Sequence, residues 1–198
     1  MLMIVIGPGG TGKLTLLNVI TKSFEHNGVH HLLAKTAMSG VATTVIEGTT
    51  LHWWAGLLVM KTPNNNDWMD CKSTSKEIKA RRDTNIMNTD WLAIDEISML
   101  TTNLIILTSQ ITGLMKTGIG TADSTVPFGS MNVLLLGDFH QFPLVANPSG
   151  VLYSTPGCSK KEMTTRVVSW NIYHQFQTMV TLKQQMWITD QIWSYILE

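Results

Sequence analysis

Short uninterrupted apolar runs recur along the chain, separated by segments whose apolar residues fall three or four positions apart. Leu2–Ile6, His31–Ala34, Trp91–Asp95, Asn132–Gly137 and Thr178–Leu182 read as strands. Runs that do not alternate with polar residues suit strands buried on both faces, as in a parallel sheet. Leu16, Leu17, Ile20 and Phe24 share one helical face, and Asn27-Gly28 supplies a stop. Leu100, Leu104, Leu107, Ile111 and Leu114 keep a helical period through 100–115 despite the β-branched residues among them. Lys76 to Arg82 reads as a short charged helix, with Lys76, Lys79 and Arg82 on one side. Strands and helices alternate, so the pattern predicts an α/β fold, a mainly parallel sheet flanked by helices. Loops are expected at 61–70, 118–129 and 148–162, and no repeat or low-complexity tract interrupts the order.

Composition narrows the function classes. The 198 residues suit one domain. Fourteen basic residues balance fourteen acidic ones, so any nucleic-acid contact must come from local patches rather than a global field. Charged residues make up 14% of the chain, which also carries seven Trp and twelve Met. A surface this poor in charge is expected to be covered in part by a further domain. Cys71 and Cys158 stand apart, as in a reducing compartment. No apolar stretch approaches the ~20 residues that span a bilayer, so no membrane partner is expected. The chain opens directly on the first strand, without the look of a signal or transit peptide.

Three polar clusters each follow an apolar run. The first is Gly7-Pro8-Gly9-Gly10-Thr11-Gly12-Lys13-Leu14-Thr15. It follows a strand and opens a helix, which is the context a phosphate-binding loop requires. Its glycines let successive N–H groups turn toward phosphate oxygens, Lys13 reaches the outer phosphates, and the helix N-terminus adds positive potential. Position 14 should carry the hydroxyl that ligates Mg²⁺, and Leu14 stands there instead. Thr15 is displaced by ~100° around the helix and should point elsewhere.

The second cluster is Asp95-Glu96, after Trp91-Leu92-Ala93-Ile94. A strand that ends in two acids suits nucleotide hydrolysis. Asp95 would hold Mg²⁺, and Glu96 would act as general base on the attacking water. The third is Asp138-Phe139-His140-Gln141, after Asn132–Gly137. The Gln141 amide is suited to a γ-phosphate or its water, while Asp138 either joins the site or caps the loop. In open α/β sheets ligands gather at this end of the strands.

Together, Gly-Pro-Gly-Gly-Thr-Gly-Lys, Ile-Asp-Glu-Ile-Ser-Met and Gly-Asp-Phe-His-Gln-Phe-Pro resemble the Pif-type DNA helicases (the petite integration frequency family), relatives of RecD in helicase superfamily one. Copies in fungal genomes, including those carried by rolling-circle transposons, look most similar. Ser39-Gly40-Val41-Ala42 resembles the family's segment that touches single-stranded DNA. Thr50-Leu51-His52 resembles its Thr-x-His element, and Leu182-Lys183-Gln184-Gln185-Met186-Trp187 a later motif. The resemblance implies a RecA-like phosphate-loop first motor domain over 1–198. It further implies ATP and Mg²⁺ as cofactors, and ATP hydrolysis coupled to 5′-to-3′ unwinding in DNA repair, recombination and telomere maintenance. Single-stranded DNA and a second motor domain, or further copies of the chain, would be partners, in the nucleus or mitochondrion. DNA would be met by Ser39, Gly40, His52 and Trp53.

Four departures qualify those expectations. Leu14 replaces the hydroxyl, Trp187 a family arginine at the γ-phosphate, and Leu144 a proline. The family's second motor domain and its adenine-reading glutamine motif also lie outside these 198 residues. The chain is therefore expected to be a partial first motor domain. A nucleotide-binding module without helicase activity is the alternative. A small-molecule kinase is disfavoured by the Gln141 cluster and by Thr50-Leu51-His52. Trp53 and Trp54 either stack on bases or belong to the core. Lys72, Lys76, Lys79, Arg81 and Arg82 form either a phosphate track or a solvated face.

Overall fold

The computed structural model describes residues 1–57, 75–117, 126–141, 151–153 and 160–186. Six strands form one sheet: β1 (Leu2–Ile6), β2 (Leu33–Ala37), β3 (Thr49–Thr50), β4 (Trp91–Asp95), β5 (Asn132–Gly137) and β6 (Thr178–Thr181). The order is β3-β2-β4-β5-β1-β6, and every pairing is parallel. The helices are α1 (Lys13–His26), α2 (Gly40–Val45), α3 (Leu51–Trp54), α4 (Lys76–Ile86), α5 (Thr102–Thr117) and α6 (Lys160–Tyr173).

The apolar runs divide between two cores. Ile4, Leu92, Ile94, Val133 and Leu135 face a large cluster with Leu51, Trp54, Ile86, Leu104, Ile111 and Ile172. Their strand neighbours Val5, Ala93, Leu134 and Leu136 face a smaller cluster with Leu17 and Ile46. Burial on both faces explains why these strands lack polar alternation.

Several boundaries shift for identifiable reasons. The strand expected at His31–Ala34 runs Leu33–Ala37, and His30–Leu32 form a 3₁₀ turn. Lys35-Thr36 disguised it. Thr36 is fully buried because its hydroxyl donates to the Ala93 carbonyl of the neighbouring strand at 2.8 Å. Helix α5 starts two residues later than expected, where Thr101 Oγ1 accepts from the Leu104 N–H at 3.2 Å. The charged helix, expected to end at Arg82, continues to Ile86. Within the expected loop at 118–129, Phe128 is fully buried, and its N–H donates to Ser109 Oγ at 2.9 Å. Within the expected loop at 148–162, Val151 bridges Thr101 and α6 begins at Lys160. The loop at 61–70 lies outside the described residues, as do Cys71, Lys72, Leu144, Cys158 and Trp187.

Candidate nucleotide and nucleic-acid site

Because all six strands are parallel, the segments that leave their C-terminal ends share one edge of the sheet. The phosphate loop leaves β1, Ser39 follows β2, and Thr50–Trp53 span the end of β3. Asp95-Glu96 close β4, Asp138–Gln141 follow β5, and Leu182–Met186 follow β6. With β5 between β1 and β4, the loop, the acid pair and the Gln141 turn converge. Ser39 and His52 lie beyond β4, along the same edge.

The loop is held from several sides. The Gly7 N–H donates to the Gly137 carbonyl at 3.3 Å. A Cβ at Gly7 would lie 2.6 Å from the Leu182 carbonyl oxygen, so no other residue fits there. Lys13 Nζ donates to the carbonyls of Gly7 and Pro8, the latter at 2.9 Å. Burial lowers the Lys13 pKa, while the charges of Asp138, Asp95 and Glu96 oppose that shift. The ammonium therefore sits in the field of three carboxylates delivered by two other strands, while its hydrogen bonds go to the loop carbonyls. Gln141 reaches the loop as well, with its Nε2 2.9 Å from where a Cβ on Gly9 would sit.

The acid pair is shaped by its backbone. Glu96 is left-handed, at φ 61° and ψ 51°, an uncommon conformation for a residue with a side chain. Its N–H donates to Asp95 Oδ1 at 2.9 Å. Burial raises the Asp95 pKa, opposed by that hydrogen bond and by Lys13. Burial also raises that of Glu96, and Asp95 adds to the effect. Glu96 Oε2 is buried with no hydrogen-bond partner among the described residues. A carboxylate oxygen held in this way is suited to accept a proton from a positioned water. Gly137, at φ 152°, passes so close to this turn that a Cβ would meet the Ile97 nitrogen at 2.8 Å. Asp138 both caps its loop, accepting from the His140 N–H at 2.9 Å, and contributes charge at Lys13.

Leu14 is 37% exposed, and Thr15 is exposed beside it. Among the described residues no group of three or more His, Cys, Asp or Glu is placed to hold a metal. Of the two positions expected to hold magnesium, Leu14 has no oxygen to offer and Asp95 has its carboxylate.

The residues assigned to DNA lie along the same edge. Ser39 caps α2, its Oγ accepting from the Ala42 N–H at 3.2 Å, and leaves Gly40 exposed. Thr50 caps α3 by accepting from the Trp53 N–H at 3.2 Å. His52 is half-buried, and burial lowers its pKa. The two tryptophans separate. Trp54 is 4% exposed in the core, whereas Trp53 is 49% exposed with the Arg81 guanidinium 5.1 Å from its ring centroid. The basic face also divides. Lys76 and Lys79 are exposed, but Arg82 is buried and donates to the carbonyls of Ala55 at 3.1 Å and Gly56 at 3.0 Å. Arg82 therefore belongs to the scaffold and not to a shared basic side, because α4 packs this face against α3.

One participant lies in the motif-like segment 182–187 but has no role readable from sequence. Gln185 Nε2 donates to the Gly9 carbonyl at 2.7 Å across 176 residues.

A PIF1-like helicase family model matches residues 1–191. The chain belongs to the PIF1-like helicase family. ATP-dependent DNA helicase RRM3 of Saccharomyces cerevisiae is 32% identical over 140 residues, covering 71% of this chain and 18% of that protein. ATP-dependent DNA helicase PIF1 of Emericella nidulans is 30% identical over 177 residues, or 88% of this chain and 21% of the relative. The chain thus spans about a fifth of these relatives' length. Among solved structures, Pif1 helicase from Candida albicans matches with TM-score 0.66 and 27% identity, over 93% of this chain and 36% of that one. Bacteroides Pif1 bound to single-stranded DNA shares the fold at TM-score 0.65 and 22% identity, over 98% of this chain and 41% of its own. The expected RecA-like, parallel α/β architecture holds.

Proposed function

We propose that residues 1–198 are the first motor domain of a PIF1-like, ATP-dependent DNA helicase, and that the edge built from β1, β4 and β5 binds ATP. The observation that carries this reading is the placement of Lys13 among Asp95, Glu96 and Asp138 at the mouth of the phosphate loop. The loop N–H groups and the α1 N-terminus bind the phosphates, and Lys13 neutralises their outer charge. Gln141 orients the attacking water and Glu96 accepts its proton. Asp95 would hold a magnesium ion that arrives with the nucleotide, and that ion would supply positive charge at the phosphates. Single-stranded DNA would run past Ser39, Gly40, His52 and Trp53, with a base stacked on the exposed indole. Movement 5′-to-3′ requires a second motor domain, or a second copy, to close over the nucleotide. Repair, recombination and telomere maintenance in the nucleus or mitochondrion would be the setting.

Leu14 supports a second reading, a module that binds nucleotide and DNA without turning over. Single-turnover ATP hydrolysis with and without single-stranded DNA separates the two. For the natural 1–198 chain we expect binding of both ligands and slow hydrolysis, with faster hydrolysis in Leu14→Ser. A chain that binds neither ligand overturns both readings. A Leu14→Ser variant that binds ATP and stays inert with DNA favours the second.

A further inference from the structure

The segment after β6 is fastened to the phosphate loop at successive points. The Leu182 N–H donates to the Ile6 carbonyl at 2.8 Å, and the Met186 N–H to the Gly10 carbonyl at 2.8 Å. Between them, Gln185 Nε2 donates to the Gly9 carbonyl at 2.7 Å. Leu182 also fills the space that a side chain on Gly7 would need.

We infer that Gln185 is a positioning residue for nucleotide binding: by holding the Gly9 carbonyl it sets the direction of the Gly10 N–H in the phosphate cradle. The inference rests on the ATP-binding reading above. A trans peptide is planar, and its C=O and N–H point in opposite directions. Fixing the Gly9 oxygen against the strap therefore turns the Gly10 N–H away from it. The Met186 bond to the Gly10 oxygen does the same for the Thr11 N–H. These are consecutive donors of the loop, and both must face one anion for the cradle to work. A Gly-Gly peptide has no side chains to resist rotation, and Gly10 sits at φ 81°. The outward carbonyl thus needs an external donor, which this chain supplies from 176 residues away.

Gln185 and Gln141 act on different phosphates. Gln141 is assigned to the γ-phosphate and its water, so it should discriminate ATP from ADP. The Gly10 and Thr11 N–H groups cradle phosphates that both nucleotides carry, so Gln185 should act on both alike.

The test uses the 1–198 chain with fluorescent ATP and ADP analogues, beside thermal unfolding without nucleotide. Gln185→Leu removes the donor. Gln185→Glu keeps the size but replaces the amide donor with an acceptor that repels the Gly9 carbonyl. Both should weaken ATP and ADP to the same extent, by about tenfold for Gln185→Leu and more for Gln185→Glu, with the nucleotide-free unfolding midpoint nearly unchanged. Unchanged affinities overturn the inference, as does a loss confined to ATP. An affinity loss matched by a collapsed unfolding midpoint in both variants also overturns it, because Gln185 would then be scaffold only. Failure of the natural chain to bind either analogue removes the ATP reading itself, an outcome distinct from equal binding by all three chains.

Discussion

Arg82 and Ala55 are joined across 27 residues of sequence by a hydrogen bond of 3.1 Å from the guanidinium Nε to the carbonyl. The same side chain reaches Gly56, and Asn85 Nδ2 donates to the Trp54 carbonyl at 3.0 Å. Helix α4 thereby caps the end of the short helix that carries His52 and Trp53. Four residues cannot sustain a helix by themselves, so α3 depends on this docking.

Removing the guanidinium leaves buried carbonyls without a donor. Arg82→Leu should cost about 2–4 kcal/mol of stability, and Arg82→Lys most of that, because lysine lacks the rigid fork whose Nε and Nη2 each meet one carbonyl. Urea denaturation against the exposed control Lys79→Ala checks this. An Arg82→Leu midpoint equal to the control's would show that the capping bonds contribute nothing.

Lys13→Ala should weaken binding of a fluorescent ATP analogue by about 100-fold at fixed salt, since a charge-assisted contact to phosphate is lost. Equal binding by variant and natural chain would reduce the glycine loop to a turn.

Leu14 is partly exposed at the start of α1, so substitution there should leave folding intact. Leu14→Ser or Leu14→Thr should steepen the dependence of ATP affinity on Mg²⁺ by restoring an oxygen ligand. A magnesium titration at fixed nucleotide is the measurement. Superimposable curves for natural and variant chains would remove the hydroxyl argument.

The acid pair predicts a pH-dependent penalty. Burial raises the folded-state pKa of Glu96, and the neighbouring Asp95 raises it further, against the attraction of Lys13. The folded state therefore binds more protons than the unfolded one, and stability falls as pH rises above the carboxylate's unfolded value toward the raised folded one. Glu96→Gln should be more stable than the natural chain at pH 7, with the difference vanishing near pH 4. Thermal unfolding across that range checks the sign. A less stable Glu96→Gln at pH 7 would mean that attraction to Lys13 outweighs burial.

Gly137 holds the acid turn and the phosphate loop together, its carbonyl accepting from Gly7 while its Cα faces Ile97. Gly137→Ala forces a Cβ to within 2.8 Å of a backbone nitrogen, at a φ that side chains rarely adopt. The cost should be about 2–4 kcal/mol, with ATP binding weakened in the protein that remains folded. Unfolding and binding equal to those of the natural chain would show that the two turns tolerate displacement.

Much of this molecule was legible in one dimension. Strands β1, β4 and β5 announce themselves because both faces are buried, which leaves continuous apolar runs. Glycine spacing marks the phosphate loop because a backbone that must turn its N–H groups inward tolerates few side chains. Asp95-Glu96 and Gln141 were readable because each sits at the end of such a run, where a parallel sheet delivers its polar residues. Tertiary structure decided what depends on distant partners. Lys35-Thr36 hid β2 until Ala93 satisfied the threonine hydroxyl. Trp53 and Trp54 are identical in sequence terms, and only the packing of α3 against the sheet sends one to the core and the other to solvent. Arg82 looked like its basic neighbours until α3 placed two carbonyls before it. Gln185 lies in a motif-like segment, but its partner was not readable there, since that partner is a carbonyl 176 residues away. Local periodicity records which residues must avoid water, but it does not record which buried polar group will answer which other, because that pairing forms only when the strands come together.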